Sequence, residues 1–188
     1  DSWVIWKLTG GKSFTTDPTN ASRTLLFDIR KGRWDADLLK LFKAPAHALA
    51  EVRPCAAERG VTTRAAIGAE VPILGAAGDQ QAAAFAQGVS PAGVIKNTYG
   101  TGLFLVAETG GKIRLSDRLI TTVAASADPK LRYALEGSVF IGGAAMQWLR
   151  DGLRIIERAG DSEKMIRGLA SNDGVYFVPA LAGLGCPH

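Results

Sequence analysis

The sequence predicts an α/β fold, and three stretches carry that reading. The continuous apolar run Val71 to Ala77 has the character of a strand covered on both faces, and it runs directly into a helical segment, DQQAAAFAQ. Two β-rich runs, Val94 to Tyr99 and Leu103 to Ala107, flank Gly100-Thr101-Gly102 as a tight hairpin. Strand-like LITTVAA and LRYALEG then precede a helical VFIGGAAMQWLRDGL, so strands meander first and hand over to helices, as in a mixed sheet.

Taken in order, SWVIWKL reads as a short helix that Gly10-Gly11 closes with a left-handed exit. DPTNASRT brings together Asp17, Pro18, Asn20 and Ser22, side chains that bond back to their own main chain and start turns or helices; its plain role is a cap. WDADLLKLFKAP is a surface helix with Asp35 as its cap, apolar Leu38, Leu39, Leu41 and Phe42, and Pro45 beyond its end. In the later helix VFIGGAAMQWLRDGL, Gly142 and Gly143 loosen the entry, and DSEKMIRGLA supplies one more helix.

Composition narrows the classes. With 188 residues, 47% of them apolar and 21% charged, the chain has the make-up of a globular protein able to bury a core. The net charge of +4 is dispersed, with no basic block longer than Arg30-Lys31, which argues against nucleic-acid and membrane partners. No run approaches a membrane span. Cys55 and Cys186 are isolated thiols without metal or CxxC spacing, and His47 and His188 have no partners at ligand or triad spacing; a reduced, cytoplasmic setting without a protein-built metal site is expected. The chain opens inside the amphipathic DSWVIWKLTGG and stops in LAGLGCPH, a strand-to-loop passage, so a piece of a longer polypeptide is expected.

Two places suggest chemistry. A phosphate chain needs N–H donors aimed into a small concavity, and Gly100 and Gly102 let the main chain approach without a Cβ, with Thr101 adding a hydroxyl. Glycines in hairpins also serve turn geometry alone. Asp79, where the apolar run meets the helix, fits either an N-cap or a general base facing an incoming hydroxyl at the carboxyl end of a strand. Residue types alone leave both readings open. A dinucleotide-binding oxidoreductase is excluded, because no GxGxxG follows a strand with an acidic residue some twenty positions on.

The segments DPTNASRTLLFDI, GDQQAAAFAQG, KNTYGTGLFLV, YALEGSVFIGGAAMQWLRD and VPALAGLG, in this order, resemble the FGGY carbohydrate kinase family, and its glycerol-phosphorylating branch in particular. The resemblance covers essentially the whole chain. It implies a ribonuclease-H-like, actin-like ATPase fold, with parts of two domains flanking a cleft: residues 1–88 ending the first, and residues 89–188 beginning the second. It further implies ATP-dependent phosphorylation of glycerol to glycerol 3-phosphate by the full-length protein, with Mg2+ as the companion of ATP and a homo-oligomer at full length.

By the same resemblance, Asp79 is the base that takes the proton from the substrate's terminal hydroxyl, Gln80 bonds a substrate hydroxyl, and Phe104 packs on the glycerol carbons. Gly100, Thr101 and Gly102 meet the nucleotide phosphates, and Gly143, Met146 and Gln147 stand near the nucleotide; Met146 is equally a core-packing residue. The family's N-terminal phosphate hairpin, its Arg-Glu pair and aromatics around glycerol, and its glycine-rich adenine segment have no counterpart here, so the segment alone is expected to lack turnover. Two departures, AAAFAQG after GDQQ and His188 at the end of GLGCPH, bear on packing and the cleft rim. A related sugar or polyol kinase and a non-catalytic actin-like binding module remain the alternatives.

Overall fold

The computed structural model describes residues 1–89 and 93–185. Its elements in chain order are α1 (Ser2–Leu8), β1 (Thr15–Thr16), α2 (Pro18–Ala21), β2 (Phe27–Asp28), β3 (Arg33–Trp34), α3 (Ala36–Leu41), β4 (Glu51–Val52), α4 (Arg64–Ile67), α5 (Asp79–Ala86), β5 (Ile95–Tyr99), β6 (Leu103–Gly110), β7 (Ile120–Ala124), β8 (Arg132–Val139), α6 (Ala144–Gln147) and α7 (Asp161–Ile166). Short elements fill the first half, and one substantial sheet fills the second. None of the described helices is long and apolar enough to cross a membrane. Cys186 and His188, where the expected strand-to-loop passage ends, lie outside the described residues.

Several local expectations hold for identifiable reasons. α1 ends where Gly10 and Gly11 take positive φ, a conformation that glycine adopts without a Cβ penalty. Asp17 caps α2 by accepting the Thr19 N–H, and Asp35 caps α3 by accepting from Asp37 and Leu38. The hairpin forms as read: β5 and β6 pair antiparallel with Tyr99 opposite Leu103, so Gly100-Thr101-Gly102 is the loop between them. α7 occupies the DSEKMI segment.

Three expectations are corrected. The four-stranded sheet, in order β5-β6-β8-β7, is antiparallel throughout rather than mixed, and the parallel pairing among the named strands is the two-residue β1–β4 contact. Val71 to Ala77 is not a strand buried on both faces, since Val71 and Leu74 are 46% and 63% exposed. It runs as an irregular extended segment beside residues 55–62, held by separate bonds such as Ile73 N–H to the Gly60 carbonyl (2.8 Å) and Ala76 N–H to the Cys55 carbonyl (3.0 Å). Pro72 has no N–H for a regular ladder, and apolar composition alone does not supply partners. Lastly, the helix after Gly142-Gly143 is one α turn, α6, followed by a π-type turn over Trp148–Gly152.

The core that positions the site lies where α5 packs on one face of the sheet. Ala84 and Val89 meet Val106, Ala124 and Ala134, and the alanines on both sides let the helix lie close to the strands. Burial of Val106 contributes roughly 1.5–3 kcal/mol. Strand alternation places Lys96, Phe104, Glu108, Glu136 and Ser138 on this same face, so the sheet turns a partly polar surface inward.

Candidate functional site

The segment from Asp17 to Arg23 forms one wall of the site. Asp17 is fully buried: its Oδ2 accepts from Thr19 N–H (2.7 Å) and the Thr19 hydroxyl (2.5 Å), and its Oδ1 accepts from Asn20 Nδ2 (2.6 Å). The half-buried Cys55 thiol donates to the same carboxylate at 3.4 Å, and burial pushes that thiol up to about 11. Thr19 Oγ1 in turn accepts the N–H of Gly78 at 2.7 Å, across 59 positions of sequence. Gly78 immediately precedes α5, so the wall is tied to the start of that helix.

Asp79 is the first residue of α5, and Gly78, not Asp79, holds the N-cap position. The N-cap reading of Asp79 is thereby corrected. Its Oδ1 accepts the Gln80 N–H at 2.7 Å, while Oδ2 has no hydrogen-bond partner among the described residues. Asp79 is exposed to an open cavity of about 620 Å³, which Gln80 and Phe104 also line, together with Asn20, Arg23 and Glu136. The three residues read as base and substrate contacts therefore surround one space.

The polarity of Gln80 follows from its neighbours. Its Oε1 accepts from the ammonium group of buried Lys96, and from the Thr98 hydroxyl at 3.4 Å. An ammonium group only donates, so the oxygen of the Gln80 amide must face Lys96. That leaves the Nε2 hydrogens for a ligand oxygen in the cavity. Phe104 stands opposite Thr98 and Ser138 on the same strand row, supplying an apolar patch beside these polar groups.

Gly100-Thr101-Gly102 is joined to the entry of α6. Gly143 N–H donates to the Gly100 carbonyl (2.8 Å), while Gly142 and Ala144 N–H donate to the Thr101 carbonyl (2.7 and 3.1 Å). The Gly102 carbonyl accepts the Gly100 N–H (3.0 Å), so all three carbonyl oxygens of the turn are occupied. Among the described residues the N–H groups of Thr101 and Gly102 and the Thr101 hydroxyl have no acceptor. A turn with its acceptors filled and donors open suits an anion.

The glycines act by close approach, not by unusual dihedrals. Neither Gly100 nor Gly102 has a positive φ. A Cβ on Gly102 would sit 2.8 Å from the Val139 carbonyl oxygen, and one on Gly143 would sit 2.8 Å from that of Gly100. Gly143 thus supports the turn, with its own N–H already engaged. Met146 is half-buried and Gln147 exposed; both donate backbone N–H groups to the Gly143 carbonyl, and neither lines the Asp79 cavity.

Sequence reasoning missed Arg23, Asn20, Lys96 and Glu136. Lys96 and Glu136 carried a readable signal, because each interrupts a strand at a position that alternation turns inward. Arg23 and Asn20 had none beyond their place in NASR. The described residues include no group of three or more His, Cys, Asp or Glu able to hold a metal ion.

Residues 1–86 match the N-terminal domain of the FGGY family of carbohydrate kinases. The whole chain is 53% identical to a glycerol kinase of Chelativorans sp. (strain BNC1) and 49% identical to one of Aquifex aeolicus (strain VF5), covering 38% of each. The chain therefore spans well under half the length of these curated relatives. Among solved structures, the Plasmodium falciparum glycerol kinase with ADP is 36% identical and superposes with a TM-score of 0.86 over 99% of this chain and 38% of that one. A xylulose kinase from Rhodospirillum rubrum, 22% identical with a TM-score of 0.77 over 97% of this chain and 38% of its own, shares the fold. The fold is the actin-like α/β fold of these kinases, and residues 1–86 carry the match to the FGGY family of carbohydrate kinases.

Proposed function

We propose that the full-length protein phosphorylates glycerol with ATP, giving glycerol 3-phosphate, and that this chain contributes the catalytic base and one phosphate-facing turn. The observation that carries the reading is the meeting of Asp79, Gln80 and Phe104 around one cavity, in a chain about half identical to glycerol kinases throughout. Asp79 Oδ2 accepts the proton of the terminal hydroxyl as that oxygen bonds to the γ-phosphorus and the bond from the γ-phosphorus to the β-phosphate oxygen breaks, with ADP leaving. Gln80 Nε2 donates to a neighbouring hydroxyl, and Phe104 covers the carbon chain. Such positioning suits phosphoryl transfer, whose loose transition state asks little of the base and much of the alignment.

The nucleotide would lie with its phosphates at Gly100-Thr101-Gly102, whose open N–H groups and hydroxyl are the supporting feature. Gly143, Met146 and Gln147 would stand behind that turn on α6, Gly143 by bracing it. Among the described residues the cavity carboxylates Asp1, Asp79 and Glu136 form no metal-holding group, Glu136 being paired with Arg23 and Asp1 accepting from the Thr16 hydroxyl. Magnesium would arrive on the nucleotide phosphates, as Mg2+ commonly does. The division into residues 1–88 and 89–188 belongs to the same proposal, with the Asp79 cavity drawing walls from both.

Asp79→Asn in the full-length protein tests the reading. Removal of a general base should lower glycerol phosphorylation by roughly 10²-fold or more while ATP affinity stays near normal. Near-normal turnover of that variant would reject Asp79 as the base.

A further inference from the structure

The carboxylate of Asp17 and the hydroxyl of Thr19 lie behind the cavity wall, are wholly buried, and are more extensively bonded than a cap requires. A cap needs one acceptor for the first turn of α2, a helix of four residues. Here four donors converge on one carboxylate: Thr19 N–H, the Thr19 hydroxyl, Asn20 Nδ2 and the Cys55 thiol. Because the Thr19 proton points at Asp17, its oxygen lone pairs are free to accept, and they accept Gly78 N–H. The direction of every bond in the chain is thereby set: Gly78 N–H to Thr19 Oγ1, and Thr19 O–H to Asp17 Oδ2.

Gly78 has no side chain with which to fix itself. A Cβ there would meet Gln81 Oε1 at 2.7 Å and Thr19 Oγ1 at 3.5 Å, so the wall and the helix close directly on its backbone. The next residue is Asp79, which lines the cavity and whose Oδ1 is held by the following N–H, while its Oδ2 has no hydrogen-bond partner among the described residues. Asn20, gripped by the other oxygen of Asp17, lines the same cavity.

We propose that Asp17 and Thr19 are positioning residues for Asp79: the buried carboxylate orients the Thr19 hydroxyl, which fixes the Gly78 amide and so the attitude of the Asp79 carboxylate. The inference rests on Asp79 being the base. Its chemistry is alignment alone, and neither residue touches substrate. A displacement of the base by a fraction of an ångström affects the reaction step more than substrate binding, so the effect falls on kcat.

The test uses the full-length protein and a graded series at one position, Thr19→Ser, Thr19→Cys and Thr19→Val. Serine keeps the donor and acceptor, cysteine keeps weak versions of both, and valine keeps the shape alone. The expected result is kcat near normal for serine, lower for cysteine, and about tenfold or more lower for valine, with glycerol KM changed less than threefold. In an Asp79→Asn background, Thr19→Val should cost no further rate, because the group it positions is gone. Should valine prevent folding, the serine and cysteine variants still decide: rates that follow melting temperature rather than hydrogen-bonding ability overturn the inference. Equal kcat for serine and valine with Asp79→Asn inactive overturns it too, leaving the base reading intact. Unaltered turnover of Asp79→Asn rejects both together.

Discussion

Arg23 and Glu136 stand 113 positions apart and form a two-pronged ion pair, Nη1 to Oε2 at 3.0 Å and Nη2 to Oε1 at 3.1 Å. The Glu136 side chain is 5% exposed and that of Arg23 46%, so the arginine brings a solvated charge to an otherwise buried carboxylate at the cavity wall. The Ser138 hydroxyl also approaches Glu136, at 3.4 Å. Fork-to-fork geometry fixes both side chains in the plane they share.

Removing the arginine should therefore be worse than removing both partners. Arg23→Met is expected to destabilise the full-length protein by about 2 kcal/mol, below the range for fully buried pairs because water screens the arginine. Arg23→Met with Glu136→Leu should recover most of that loss. Urea midpoints of the two single variants and the double variant measure the coupling; simple additivity would mean the pair contributes nothing.

Lys96 sets which end of the Gln80 amide faces the cavity. Lys96→Met keeps the buried stem and removes the ammonium donor, so the Gln80 amide is free to turn. With a charge-assisted bond worth about 1.5–3 kcal/mol, glycerol KM should rise roughly tenfold while kcat changes less. Steady-state kinetics at saturating ATP separate the two constants, and an unchanged KM would mean that Gln80 does not meet the substrate.

The turn glycines can be told apart by space. Gly102→Ala places a methyl group 2.8 Å from the Val139 oxygen and 3.1 Å from the Phe140 oxygen, so a loss of stability is expected whatever the ligand. Gly100→Ala meets nothing nearer than 3.7 Å, and Gly111→Ala nothing within 4 Å. Calorimetry should find ATP binding weakened in Gly100→Ala and unchanged in Gly111→Ala, at unchanged melting temperature for both. Equal ATP affinity in these two would assign the turn to folding alone.

Cys55 should behave as an inert thiol. Burial raises it from an ordinary 9.0 to about 11, so the neutral form is favoured in the folded chain. A group whose folded value is raised contributes stability fully below its unfolded value and loses it as pH climbs through the folded one; the window here is pH 9 to 11. Iodoacetamide should label Cys55 slowly at pH 8 and readily only after unfolding. Fast labelling of the native protein at pH 8 would contradict the Asp17-facing thiol geometry.

Local signals were the most legible part of the sequence. Asp35, Asp17, the Gly10-Gly11 exit and the hairpin glycines act within a few residues of themselves, and each is found where its chemistry predicts. The run Val71 to Ala77 misled because it is apolar without being paired on both sides: Pro72 removes a donor, and the side chains of Val71 and Leu74 stand in solvent. The site divides in the same way. Asp79, Gln80 and Phe104 were named from motif resemblance, whereas Arg23 and Asn20 reach the cavity only through tertiary folding, which no local pattern encodes. Glu136 and Lys96 lay between, each a charge at an inward strand position awaiting an unknown partner.

The pairing of Arg23 with Glu136 also orders events in time. The sheet's other inward ion pair, Arg132 with Glu108, closes a separation of 24 positions, against 113 for the cavity wall. By the logarithmic law of loop closure the longer link costs about 1.4 kcal/mol more chain entropy when formed from an open coil. Hairpins β5–β6 and β7–β8, each joining neighbours in sequence, precede it for the same reason. A nascent chain thus completes a stable sheet before it possesses a cavity, and the window between the two is when Lys96 and Glu136 stand as bare charges on a finished surface.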